Sequence, residues 1–187
     1  MPSPPASLKF TYEEYLAFPD DGKRHELIEG DHYVTPAPLT RHQRIVANLH
    51  RLIGTVVHEQ ALGTFLSAPV DVLFSNVDVV QPDLLFVSTA RSFIITERNI
   101  QGAPDLVVEI LSAGTKKIDE GIKRTLYERG QVPEYWIIDP QSETVTIYLL
   151  REGHYDQGQV CTTAQAQAAF TTSFLPGVSL QLREIFS

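Results

Sequence analysis

Several things that would place this chain outside a cell or in a bilayer are missing. It has one cysteine, Cys161, so no disulfide can form within it, and a reducing compartment suits it. No apolar run approaches the roughly 20 residues that cross a membrane. The Pro- and Ser-rich opening, Met1–Ser7, lacks the basic-then-apolar order of a secretion signal. Together these absences point to a cytoplasmic protein. Basic residues are scarce too: 15 Lys and Arg stand against 23 Asp and Glu, a formal net charge of −8. That balance argues against non-specific binding of nucleic acid driven by charge alone.

What is present is an ordinary globular composition over 187 residues, 43% hydrophobic and 20% charged. Residues 1–10 read as a flexible N-terminus and 11–187 as a single domain. Thr11, with Glu14 three positions on, predicts the start of a short helix. Arg24–Gly30 predicts a strand entering a turn, and His32–Thr35 its return. Ile45, Leu49, Leu52, Ile53 and Val56 recur at helical spacing, predicting an amphipathic helix from Thr40 to about Glu59. Phe65–Phe74 reads as one strand, with Pro69 marking a bulge or an edge. Arg91–Gly102 reads as a short helix or loop. A helix over Asp119–Arg129 ends at Gly130, and a hairpin of Pro133–Pro140 with Thr144–Leu150 follows. Leu182–Phe186 closes the chain as a short helix. The sum is an α+β (α/β) fold, a central mixed β-sheet flanked by helices.

Two strands break the usual pattern. Gln81–Val87 and Ala103–Leu111 are apolar runs that nevertheless carry Asp83, Asp105 and Glu109. An ionised carboxylate in a buried strand is costly unless a cation compensates it. Alternation puts Asp105, Val107, Glu109 and Leu111 on one face, and a neighbouring strand could bring Asp83 beside Glu109. Hard cations such as Mg²⁺ want oxygen ligands and commonly take only one or two protein carboxylates. Asp83 and Glu109, with a backbone carbonyl such as that of Ile110, meet that need. A carboxylate cluster would also account for part of the negative charge. Asp105 follows a proline and reads as marking the start of its strand, or as a supporting group.

The next helix supplies a cation. Asp119, Lys123 and Tyr127 form one stripe, with Ile122 and Leu126 as an apolar stripe beside it. Lys123, at the border of a buried face, can snorkel toward the carboxylates. There it would orient an attacking water or stabilise a pentavalent phosphate. Metal-assisted phosphodiester cleavage is therefore the first hypothesis.

The order and spacing of these pieces make the chain recognisable. They are His25–Gly30, the His42-bearing helix, Gln81–Val87, Gly102–Ser112, the Asp119–Lys123–Tyr127 helix, Val132–Pro140 and Leu175–Val178. Together they resemble the Uma-type restriction endonuclease family, a group within the PD-(D/E)XK nuclease superfamily, from about Thr11 to Phe186. The resemblance implies a restriction-endonuclease-like core and a Mg²⁺- or Mn²⁺-dependent endonuclease acting on DNA, duplex in preference to single-stranded. It puts the motif aspartate at Asp83 and the motif acid at Glu109, which would be the metal ligands and catalytic acids. Glu26 resembles the acidic residue contributed by the first core element. The lysine expected two residues after Glu109 is replaced by Leu111. The resemblance implies recruitment from the following helix, which makes Lys123 the catalytic candidate. Symmetric cutting of a duplex would suit a homodimer, by fold-level analogy.

Two rival readings stand beside this one. Leu111 in the lysine slot and the acidic net charge favour a catalytically silent nuclease fold that binds nucleic acid or regulates. A phosphodiesterase for a small nucleotide would need a closed pocket in place of a groove. If Lys123 merely paired with Asp119 on an exposed face, a contribution of roughly 0.3–0.5 kcal/mol, the silent reading would gain. A Lys123 amine within about 5 Å of both carboxylates would favour cleavage through one water. Lys116 and Lys117 read as solvated loop charges, and His42 as a cap, a surface residue or a contact around the site. His25, His32, His50, His58 and His154 lack zinc-ligand spacing. Tyr127, Tyr135 and Trp136 read as core aromatics.

Overall fold

The computed structural model of the protein describes residues 8–165 and 168–187. Most of the N-terminal stretch expected to be flexible, residues 1–7, lies outside the described residues. The chain begins with α1 (Tyr12–Tyr15) and a hairpin of β1 (Arg24–Ile28) and β2 (Asp31–Thr35). A helical run follows: α2 (Thr40–Leu49), a π-helical turn (His50–Gly54) and α3 (Thr55–Glu59). Next come β3 (Gly63–Ser67), β4 (Val72–Ser75), β5 (Asp78–Val80), β6 (Leu84–Ser88), β7 (Ile100–Gln101) and β8 (Leu106–Ile110). A second π-helical turn (Ile118–Lys123) runs into α4 (Arg124–Arg129). The chain finishes with β9 (Glu134–Asp139), β10 (Thr144–Arg151), β11 (His154–Tyr155), β12 (Gln159–Thr162), β13 (Ala169–Thr171), β14 (Ser179–Gln181) and α5 (Leu182–Phe186).

The larger sheet has the order β11-β10-β9-β8-β6-β3, with β12 also on β10. It is mixed, since β8 and β9 run parallel while β6 pairs antiparallel with both β8 and β3. Strand alternation sends its side chains to two different cores. Leu84, Phe86, Leu106 and Val108 pack with Ile45, Leu49 and Ile53 of the long helical run. Leu85, Val87, Val107 and Leu111 pack on the other face with Leu126 and Tyr127 of α4. This is the expected mixed sheet flanked by helices.

Two local expectations need correction. Phe65–Phe74 is not one strand: β3 ends at Ser67 and β4 begins at Val72, in different sheets. Pro69 has no N–H to offer a ladder, and the chain leaves the larger sheet there. β4 joins a second sheet of order β2-β1-β5-β4-β7, which carries the β1 hairpin over the α4 side. Ile122, expected in an apolar stripe beside Lys123, is 42% exposed, while Asp119 and Lys123 are buried. A π turn winds more widely than an α turn, so Ile122 swings out as the charged pair stays in.

β3 and β6 approach closely at Gly63, where a Cβ would overlap the Val87 carbonyl oxygen. Because that contact is backbone, it cannot be relieved by a rotamer change. Gly63→Ala should cost about 1–3 kcal/mol of stability, read as a lowered urea midpoint with an unchanged m-value.

Candidate active site

The site forms where the two sheets meet the π turn. Arg24 and Glu26 are two residues apart on β1, hence on one face. Asp83 stands just before β6, and Glu109 is next to last in β8. Leu84 lies opposite Val108, and that register carries Asp83 across from Glu109. The Ile110 backbone N–H donates to Asp83 Oδ2 at 2.8 Å and fastens the carboxylate to the adjacent strand.

Glu26, Asp83, Glu109, Asp119 and Lys123 are each only 2–4% exposed. Lys123 Nζ lies 2.8 Å from Glu26 Oε1, 3.0 Å from Glu109 Oε1 and 3.8 Å from Asp119 Oδ1. The Tyr127 hydroxyl donates to Glu109 Oε1 at 2.6 Å, and the Gln81 N–H donates to Glu26 Oε1 at 2.8 Å. Asp83 has its own partners: Arg24 Nη1 donates to Oδ1 at 2.7 Å, and His42 Nε2 lies 3.0 Å from Oδ2.

Four carboxylates thus surround two permanent cations, and the charge imbalance shows in their proton affinities. Burial pushes the Glu109 carboxyl up to about 8; Asp119, Asp83 and Glu26 reinforce the rise while Lys123 opposes it. Burial likewise raises Asp119 to about 6, again against Lys123. Asp83 goes the other way. Burial disfavours its charge, but hydrogen bonding and charge from His42, the Arg24 guanidinium and the Ile110 N–H outweigh it and hold the pKa below the usual carboxylate value. For Lys123, burial opposes the charge, yet Glu109, Glu26 and Asp119 prevail and raise its pKa.

A hard divalent cation fits this deficit of positive charge. The donors are oxygens, and the hydrogen bonds that Glu109 accepts from Lys123 and Tyr127 both fall on Oε1. Ile110 lines the same cavity. No three His, Cys, Asp or Glu side chains among the described residues form a complete metal cage. Mg²⁺ does not need one, since it commonly keeps several waters.

The site lines a cavity of about 210 Å³, rimmed by Thr35–Leu39 between β2 and α2. Beyond Arg24, His42 and Asp83 lies a second cavity of about 430 Å³, reaching Lys23, Gln43 and Gln81. On the other side, Leu39, His42, Ser112 and Ala113 also border a third of about 280 Å³, edged by Arg41 and Lys116. The three cavities adjoin through shared walls, with Lys23 toward one end and Arg41 and Lys116 toward the other, each paired with a nearby carboxylate.

Glu26, Asp83, Glu109 and Lys123 therefore converge. Lys123 is not an exposed partner of Asp119; it meets Glu109 and Glu26, while Arg24 and His42 serve Asp83. Asp105 stays out of the site, accepting the Ser88 N–H at 2.7 Å and pairing with Arg91 at 3.1 Å. Lys116 pairs with Asp139 at 3.1 Å near the surface. Sequence reasoning missed Arg24, although period-two spacing from Glu26 was there to find it. Tyr127, expected as a core aromatic with a polar handle in the stripe through Asp119 and Lys123, turns that handle to Glu109.

A mixed sheet offering two facing carboxylates to a lysine from the next helix defines the restriction-endonuclease-like class. The family model described as Uma2, "Putative restriction endonuclease", matches residues 12–183, and the chain belongs to that family. A crystal structure from Anabaena variabilis, described as a putative nuclease belonging to DUF820, shares the fold. The TM-score is 0.78 at 23% identity, over 95% of this chain and 97% of that one. No curated protein matches significantly.

The raised Glu109 value has a consequence for stability. The folded chain keeps this proton between about 4.5 and about 8, whereas the unfolded chain has lost it. The folded state binds more protons there, so stability falls as pH rises through that window. In metal-free protein the melting temperature should decline across it, and Glu109→Gln should flatten the decline. An unaltered slope in Glu109→Gln would assign it to other groups.

Proposed function

We propose that this protein is a Mg²⁺- or Mn²⁺-dependent endonuclease that hydrolyses phosphodiester bonds of DNA, duplex in preference to single-stranded. The observation that carries this reading is the buried Lys123 amine bridging Glu26 and Glu109 beside Asp83. The family and the row of adjoining cavities support it. A row of cavities with basic residues toward both ends suits a polymer better than a free nucleotide. A homodimer would match symmetric cutting. We read residues 11–187 as one domain in a cytoplasmic setting.

Asp83 and Glu109 would hold the cation. When bound, it supplies Lewis-acid stabilisation of charge on the phosphate and makes water a better nucleophile. Lys123 has three N–H donors. Glu26 and Glu109 take two, leaving the third to position the attacking water. Glu26 acts as the auxiliary acid, holding Lys123 in place and charged. Tyr127 fixes Glu109 by its hydroxyl. Glu109 must ionise before it can coordinate, so binding at neutral pH expels a proton.

Two measurements check this. Plasmid cleavage with Mg²⁺ or Mn²⁺ should fall by roughly 100-fold or more in Glu109→Gln and in Lys123→Met, and EDTA should abolish it. Equal activity in all three proteins would sink the site assignment, and no cleavage by any of them would leave a silent fold that binds nucleic acid or regulates. Separately, Mn²⁺ titration calorimetry at neutral pH in two buffers of different ionisation heat should show proton release. Glu109→Gln should lose that release.

A further inference from the structure

Arg24 has the most unspent hydrogen-bonding capacity among the residues that hold Asp83. Its Nη1 donates to Asp83 Oδ1 at 2.7 Å and to the Gln81 carbonyl at 3.4 Å. Among the described residues nothing meets Nη2 or Nε. A guanidinium usually grips a carboxylate with two parallel N–H bonds; this one uses one nitrogen and keeps the rest of its fork free. The side chain is 18% exposed and belongs to the walls of both the acidic cavity and the larger one beside it. Arg24 thus stands in the wall shared by the acidic cavity and its larger neighbour.

Asp83 is where two demands collide. His42 and the Ile110 N–H occupy Oδ2, so Oδ1, now held by Arg24, is the oxygen left for a cation. A cation held at Oδ1 would share that oxygen with Arg24 through its second lone pair and would weaken Arg24's ion pair. That would leave a partly buried guanidinium with only Glu109 and Glu26 as counter-charges, a weaker balance that an arriving anion restores. The anion that arrives with the substrate is a phosphodiester, whose geometry the guanidinium fork matches.

We propose that Arg24 is a phosphate-binding residue. It holds Asp83 while the site is empty of substrate and turns its donors to a non-bridging oxygen of the backbone phosphate when Asp83 takes the cation. This rests on the nuclease reading above and adds to it the residue that grips the polymer at the reacting centre.

The test uses the full chain with a fluorescein-labelled duplex and Ca²⁺ to limit turnover, read by anisotropy across a salt series. Arg24→Met should weaken binding about tenfold and reduce the salt slope by about one. It should also bind Mn²⁺ several-fold more tightly by calorimetry, because Asp83 has lost its competitor. Arg24→Lys keeps the charge, so it should retain the slope yet lose part of the affinity. It carries the test should Arg24→Met fail to fold, as judged by melting. Wild-type DNA affinity and slope in either variant would overturn the proposal, as would weaker Mn²⁺ binding in Arg24→Met. If wild type binds Mn²⁺ but no DNA, the nuclease reading itself falls and this proposal with it.

Discussion

Lys123 is the buried charge on which three separate parts of the fold depend. It comes from the π turn ahead of α4, and its shortest contacts reach Glu26 on the smaller sheet and Glu109 on the larger. Hydrophobic burial has no preferred direction, so apolar packing alone would let two sheets slide across each other. A buried ion pair does not allow that. Each ion forfeits its hydration, and losing one partner costs about 3–5 kcal/mol by stranding the other. The position of the β1 hairpin over α4 is therefore tied to charge geometry, and the cavity inherits its shape from that tie.

The same constraint divides the two facing carboxylates. Asp83 and Glu109 stand across one strand gap, yet one is held ionised and the other holds its proton more tightly than a free glutamate. Asp83 receives donors from three directions: β1, α2 and β8. Glu109, as deeply buried, meets Tyr127 and Lys123. Neighbouring acids pushed apart in this way are the usual basis for separate tasks in one reaction. The larger sheet sets their spacing, while the surrounding elements set their difference.

Much of this was legible in the residues. The apolar run around Glu109 marked a carboxylate in a buried strand, and a neighbouring strand was expected to bring Asp83 beside it. The long amphipathic helix followed from periodicity, and the β9–β10 hairpin and the closing α5 were legible too. The failures have physical causes. Phe65–Phe74 reads as one β-rich run because propensity does not reveal which sheet each half will join; tertiary pairing decides that. The exposure of Ile122 depends on a π turn, and hydrophobic spacing assumes 3.6 residues per turn. Arg24 looked like an ordinary strand-end charge, since its importance comes from Asp83, 59 positions away.

The π turn at Ile118–Lys123 has a consequence for how such a site can change over generations. A π turn amounts to one extra residue accommodated within an α-helix. Removing one residue there would return the segment to α-helical winding and rotate Asp119 by about 100° relative to Tyr127. No strand would need to change. With Leu111 filling the strand position, the nearness of Asp119 to the Lys123 charge rests on a single residue's worth of helix length.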